Sequence, residues 1–277
     1  MIIDNVEMKL EKILLKPIIV LPLIISISII FRLYFLRFDF PLDSQDAFIY
    51  LLFSHAILEN NYNVLPPTFA WSFVNAIFLA PFINENIYFQ MNVIRVVSIA
   101  ISIITIPIVY ILAKNFTEKR YALLAVSFFA FDPNLIENAN FGITEPLLIL
   151  FGLISIIFLI KQETKYLIIS ALFAGLALDV RMNGIVFVII SIIIIVIRSK
   201  NNSKRIKNLI IIILFFSIAA IPFFIQSNEQ FGNPLGTGLY FIEGVQNKVA
   251  PSESAESIGS DLFKKLISAI GTEILHI

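Results

Sequence analysis

Three short polar stretches interrupt a chain otherwise dominated by Ile, Leu and Phe, and each carries side chains suited to acid–base or anion chemistry. The first, residues 37–50, contains Asp39, Asp43 and Asp46. From Asp46 the pattern reads as a helix through Ile57. A carboxylate at that position either caps free backbone N–H groups at the positive end of the helix dipole or serves as a general base. The second stretch, residues 132–146, ends in Thr144-Glu145-Pro146, a good helix start with proline in the first turn. Thr144 or Glu145 caps that helix, yet an acid at the edge of an apolar span is costly unless it has a use. The third, residues 179–184, reads Asp-Val-Arg-Met-Asn-Gly. Arg181 there either pairs with Asp179 or receives an anion, because its planar fork matches phosphate.

The elements that position these groups are membrane spans. Of 277 residues, 58% are hydrophobic and only 14% charged, where a soluble domain carries roughly a quarter charged. Long apolar runs such as residues 186–197 have no polar face to turn to water. A span needs about 20 mostly apolar residues, and hydropathy predicts spans over residues 17–36, 88–113, 121–135, 144–160, 166–179, 184–197 and 209–226. The first is read as retained rather than a cleaved signal, since no small-residue cleavage site follows it. The formal net charge of zero gives no footing for nucleic acid. Without cysteine there are no disulfides, thiol catalysis or Cys-based metal sites. His55 and His276 lie far apart and form no spaced ligand set.

Basic residues orient the spans. Lys9, Lys12 and Lys16 precede the first span; Lys114, Lys119 and Arg120 crowd one connection; Lys161 and Lys165 another; Arg198, Lys200, Lys204, Arg205 and Lys207 a third. The positive-inside rule places all four clusters in the cytoplasm. That works only if Phe69–Phe82, which would reach about 21 Å against a roughly 30 Å core, lies at the outer interface instead of crossing. The expectation is an all-α polytopic membrane protein. It has seven spans over residues 1–227, an outer loop with interfacial helices at 37–87, and an outer tail at 228–277 with an amphipathic helix near 261–274. The N-terminus is inside and the C-terminus outside, and the three polar stretches meet on the outer face. A transporter would instead place polar groups near the midplane on broken helices.

In order along the chain, these segments resemble the GT-C membrane glycosyltransferases, in the branch of protein mannosyltransferases and aminoarabinose transferases. Residues 46–60 resemble the first-loop motif Asp-Glu-x-x-Tyr and its apolar helix, followed by Pro66-Pro67. Residues 113–122 resemble the first cytoplasmic turn, and Pro133 through Thr144-Glu145-Pro146 the second outer loop. Residues 175–184 are similar to a Gly-Leu-Ala…Arg-Pro-Asn-Gly segment, and residues 231–238 to the phrase after the seventh span. The resemblance covers about residues 17–240. It implies a transferase that takes a sugar from a polyprenyl-phosphate carrier, with Asp46 as base and Glu145 positioning the acceptor or assisting. Arg181, and more weakly Arg95, would hold the donor phosphate, and Asp43, Tyr50 and Asn183 the substrate. No metal ligand set is assigned, and the resemblance leaves a divalent cation open, with Asp43 as a holder of it or of sugar hydroxyls.

The sequence departs from the motif at Ala47, where the family has its second acid. Family members usually continue through further spans, so the chain reads as a fragment, a minimal member or an incomplete product. Its partners are the lipid-linked donor, membrane lipid and an acceptor that is protein, lipid or glycan. Short loops point to a prokaryotic plasma membrane. The alternatives are an inactive or accessory relative, or a transporter or flippase.

Overall fold

The computed structural model describes residues 17–36, 45–59, 69–161, 163–199 and 201–234. Asp39, Asp43, the N-terminal lysines, Pro66-Pro67, Lys200 and the tail from residue 235 lie outside the described residues. Those residues form 11 α-helices and no strand. In chain order they are α1 (Pro17–Phe35), α2 (Gln45–Leu58), α3 (Phe69–Leu79), α4 (Ile87–Ala113), α5 (Lys119–Ala130), α6 (Pro133–Phe141), α7 (Glu145–Lys161), α8 (Thr164–Val180), α9 (Ile185–Arg198), α10 (Asn202–Ala219) and α11 (Ile221–Phe231). Single 3₁₀ turns follow α3 at Ala80–Phe82 and α8 at Met182–Gly184.

The chain is an all-α membrane protein. By length and composition, α1 and α4 are each apolar and long enough to cross a bilayer, and the count rises to 4 if each bent helix pair is one span. Two of the expected spans are not single helices. The run 121–135 stops at Ala130, because Asp132 caps a new helix: its carboxylate accepts from the N–H groups of Asn134 and Leu135, and Pro133 takes the first helical position. What reads as an outer loop at 132–143 is therefore mostly the short helix α6, set at 117° to α7. The run 209–226 breaks at Ala220, with Pro222 in the first turn of α11, and bends by 56°.

Helix α8 is the centre of the bundle. Its buried positions include Ser170, Ala171, Ala174, Gly175 and Ala177, small residues that let neighbouring backbones come close. Gly175 packs on α10, where an added Cβ would stand 2.6 Å from the Phe216 carbonyl oxygen. Helices α7 and α8 form an antiparallel hairpin. Ser155 Oγ donates to the Ser170 carbonyl at 2.9 Å, and Glu145 pairs with Arg181. The residue numbers of each pair add to nearly the same total, as one antiparallel register requires.

Helix direction sorts the charges. Lys114 follows α4, Lys119 opens α5, Lys161 ends α7, Lys165 opens α8 and Arg198 ends α9. Glu145 and Arg181 sit at the opposite ends of their helices. Gly184 seals that opposite end, because a Cβ there would stand 2.2 Å from the carbonyl carbon and oxygen of Ala177. Gly184→Ala should therefore destabilise the protein by about 1–3 kcal/mol by overpacking, read as a lower thermal midpoint in detergent. An unchanged midpoint would show that the 3₁₀ turn is free to shift.

Span interiors are less uniformly apolar than hydropathy suggests. Ser155, Thr105 and Ser191 are buried there, but each hydroxyl donates to a helix carbonyl. These three bonds brace the helices that carry them or their neighbours.

Arg32 stands inside an apolar run, yet it is fully buried. With Ile24 and Ser28 it forms the one buried stripe of α1, at four-residue spacing. Its guanidinium donates to Ser102 Oγ from Nε at 3.2 Å and Nη2 at 3.0 Å, and to the Ala130 carbonyl from Nη1 at 2.9 Å. A cation on the last carbonyl of α5 suits the negative end of that helix. Its other partners are the Ser28 hydroxyl and carbonyl, so among the described residues it docks α1 onto α4 and α5 without an acid. The signal was available, since a charged residue in a span faces the protein interior.

Candidate active site

Four elements bring the polar groups together. The first is α2, whose residues Ala47, Tyr50, Leu51 and Ser54 are buried at helical spacing. Asp46 lies in its first turn, exposed beside that stripe and one turn from Tyr50. Ala47 is 1% exposed, so an acid there would sit in the packed core with Tyr50 and Leu51. In the hairpin of α2 and α3, Ser54 Oγ lies 2.7 Å from the Tyr50 carbonyl of its own helix and 3.1 Å from the Ser72 carbonyl of α3, sharing its one proton between them. The hairpin is tied to α4 by His55 and Gln90. The Gln90 amide nitrogen donates to the carbonyls of Ile83 and Glu85, both at 2.9 Å, so its oxygen must accept from His55 Nε2–H. His55 is thus a structural residue with its tautomer set by this bond.

The second element is the turn between α6 and α7. Gly142 ends α6 with φ 73°, a left-handed conformation that favours glycine. It backs onto α4, where an added Cβ would meet Ile94 Cγ2 at 3.0 Å and the Arg95 backbone nitrogen at 3.4 Å. Arg95, on this third element, is 5% exposed and reaches Asn92 Oδ1 at 3.5 Å. It is packed beneath the turn that leads to Thr144 and Glu145.

The fourth element is the end of α8. The chain leaves the helix at Arg181 in extended backbone, φ −162° and ψ 142°. Arg181 does not pair with Asp179, the nearer acid in sequence. Its Nη1 donates to Glu145 Oε1 across the α7–α8 hairpin. Thr144 Oγ1 donates to the other oxygen, Oε2, at 3.4 Å. Thr144 is fully buried and its hydroxyl lies near that of Tyr50. Tyr50 in turn lies within the fields of Asp46 and Arg181. Asp46, Tyr50, Thr144, Glu145 and Arg181 therefore form one connected polar cluster, with Arg95 beneath its edge. Thr144 is the member that sequence reading treated only as a cap. Asn183 is exposed on the 3₁₀ turn just beyond Arg181, and its side chain makes no hydrogen bond among the described residues. Asp43 lies outside the described residues, among which no group of three His, Asp or Glu is placed to hold a metal ion.

The Tyr50 hydroxyl is held above its ordinary value, first because burial disfavours the phenolate and then because Asp46 is near; Thr144 and Arg181 oppose the shift. The folded protein thus binds this proton more tightly than the unfolded chain does. The resulting stability is fully present below the ordinary tyrosine value of 10.0 and is lost as pH rises through the raised one. Tyr50→Phe should abolish this alkaline loss, measured by thermal unfolding in detergent from about pH 8 to about pH 11. An identical alkaline decline in both proteins would contradict it.

Chemically, the cluster pairs an exposed carboxylate with a guanidinium whose partner acid holds it in place. That set can remove a proton from one reactant and stabilise negative charge on another. No curated protein matches the chain at a significant level. The model of the dolichyl-phosphate-mannose-protein mannosyltransferase family matches residues 64–225, more than half of the chain, and the chain belongs to that family of GT-C membrane glycosyltransferases.

Proposed function

We propose that the chain transfers a sugar from a polyprenyl-phosphate carrier to a hydroxyl acceptor at the outer face of a prokaryotic plasma membrane. The observation that carries this reading is the polar cluster in which Asp46 and Arg181 meet through Tyr50, Thr144 and Glu145. The isoprenoid tail would lie along the apolar helix surfaces, which explains a membrane-embedded enzyme. Arg181 binds the donor phosphate, and Arg95 contributes positive charge from beneath the turn. Asp46 takes the proton of the acceptor hydroxyl as that oxygen attacks the anomeric carbon. The bond from that carbon to the phosphate oxygen breaks, the electron pair leaves with the phosphate, and the carbon inverts. Glu145 keeps Arg181 aimed at the departing oxygen and positions the acceptor. Tyr50 and Asn183 line the sugar, and Asp43 assists them.

In this reading the basic ends of the helices face the cytoplasm and the cluster faces outward. This reading has seven crossings, with α2, α3 and α6 lying at the outer interface. The basic helix ends carry that count rather than length, since α5 at 12 residues is nearly as short as α3 at 11.

The test is reconstitution into vesicles with a polyprenyl-phosphate sugar labelled on the sugar, measuring label passed to membrane-extract acceptors and release of the carrier phosphate. Mannose is the first sugar to try, given the family. Failure to consume any of several donor sugars would remove this reading and leave an accessory relative.

A further inference from the structure

We propose that Asp179 is a positioning residue for the transfer reaction, holding the α2–α3 hairpin, and with it Asp46, in register with Arg181. The inference rests on the roles given above to Asp46 and Arg181.

Asp179 is 2% exposed at the end of α8. Although it stands two residues from Arg181, the two do not pair. The chain leaves the helix between them, so Arg181 reaches α7 while Asp179 reaches α3. There the buried Asp179 carboxylate lies close to the backbone N–H of Ala70, in the first turn of α3. First-turn N–H groups have no partner within their own helix, and a carboxylate is their best acceptor. Here the acceptor comes from another helix, so the contact fixes one element against the other. The contact is continuous with packing, because Val180 shares an apolar cluster with Ala70, Trp71 and Tyr50. From α3 the constraint passes to α2, which carries Tyr50 and Asp46, through the packing of Trp71 and Leu79 with Tyr50 and Leu51 and the shared Ser54–Ser72 contact. The tripeptide Asp179-Val180-Arg181 thus grips both outer segments: α3 through its first residue and α7 through its last.

The second carboxylate oxygen, Oδ1, is buried and has no partner among the described residues. A buried carboxylate with a single backbone donor is a poor source of stability. An apolar side chain would fill the same volume at less cost, but it would not hold Ala70.

The experiment uses the full chain, which has no cysteine, so two introduced cysteines at exposed Phe73 and Ile185 take spin labels specifically. The distance between them is measured in Asp179→Leu, Asp179→Asn and Ala70→Pro. The asparagine keeps an oxygen for the Ala70 N–H. The proline deletes the donor in a first helical turn, where proline is tolerated. Asp179→Leu and Ala70→Pro should broaden the distance distribution. Each should also lower kcat about tenfold with the donor KM little changed, since reacting groups are misaligned while binding survives. Asp179→Asn should keep the wild-type distribution and at least about half of the turnover, because the contact remains.

The proposal is overturned if Asp179→Leu turns over like wild type, or if Asp179→Asn falls as far as the leucine variant. It is also overturned if turnover falls while the distribution stays sharp. If Asp179→Leu does not fold, Ala70→Pro and Asp179→Asn decide by the same criteria. If the wild-type protein consumes no polyprenyl-phosphate sugar, the functional reading has failed. The distance measurement then stands alone: broadening supports the clamp and an unchanged distribution removes it.

Discussion

Asp46→Asn should lower sugar transfer by about 10²- to 10⁴-fold, the usual contribution of a positioned general base. The substitution keeps shape and removes the ability to take a proton. Asp46 is exposed in the first turn of α2 and away from the packed face formed by Ala47, Tyr50, Leu51 and Ser54. Stability should therefore hardly change, apart from a few tenths of a kcal/mol lost with a favourable charge near the helix start. The paired measurement is turnover of polyprenyl-phosphate mannose against the thermal midpoint in the same detergent. A large fall in turnover at constant midpoint assigns Asp46 to the chemistry. Unchanged turnover would remove it and direct attention to Asp43.

The second large effect concerns Arg181. Arg181→Ala should reduce kcat/KM about 10²- to 10³-fold, as expected when a preorganised donor to a developing anion is deleted. Part of the loss is indirect. The Glu145 side chain is 24% exposed and would keep its charge beside Thr144 with no cation against it. Arg181→Lys should recover only part of the loss, because an ammonium cannot hold Glu145 and a phosphate with a planar fork. Glu145→Gln alone should cost less than Arg181→Ala, and the double variant should be no worse than Arg181→Ala. Such non-additivity marks two groups acting as one unit. Fully additive losses would mean that Glu145 and Arg181 act on separate steps.

Much of this arrangement was readable in advance, and the reasons differ from residue to residue. Hydropathy located the bodies of the helices because lipid-facing and core-facing positions are both apolar, so length alone shows them. The same feature hid Arg32, which sits in a run apolar enough to absorb one charge in any averaging window. It also hid the break at Ala130, although Asp132-Pro133 carries the signature of a helix start. Pro222 gave a similar warning of the bend in the last expected span. The three polar stretches could be assigned to one end of the bundle from lysines at the other end. Which acid meets which base could not be read from adjacency: Asp179 is the sequence neighbour of Arg181, but Glu145 is its partner. The missing information was hairpin register. Two antiparallel helices joined by a short basic turn place Glu145 opposite Arg181 by counting alone. Tyr50 and Thr144 meet across α2 and the α6–α7 turn, a contact between distant segments that no local pattern encodes.

The α7–α8 hairpin also bears on how the protein is made. Its two helices emerge consecutively and are joined by the turn around Glu163, so they can enter the bilayer as a unit and close over a short loop at little entropic cost. Glu145 and Arg181 sit at the open end of that unit and are brought face to face by its closure. The half of the cluster proposed to bind the anion is then built from one contiguous segment during synthesis. The half proposed to accept the proton is made earlier on α2 and must wait for this hairpin before it has anything to dock against. Defects in the first loop should therefore yield a protein that inserts normally and retains the arginine–glutamate pair, but holds its base in the wrong place.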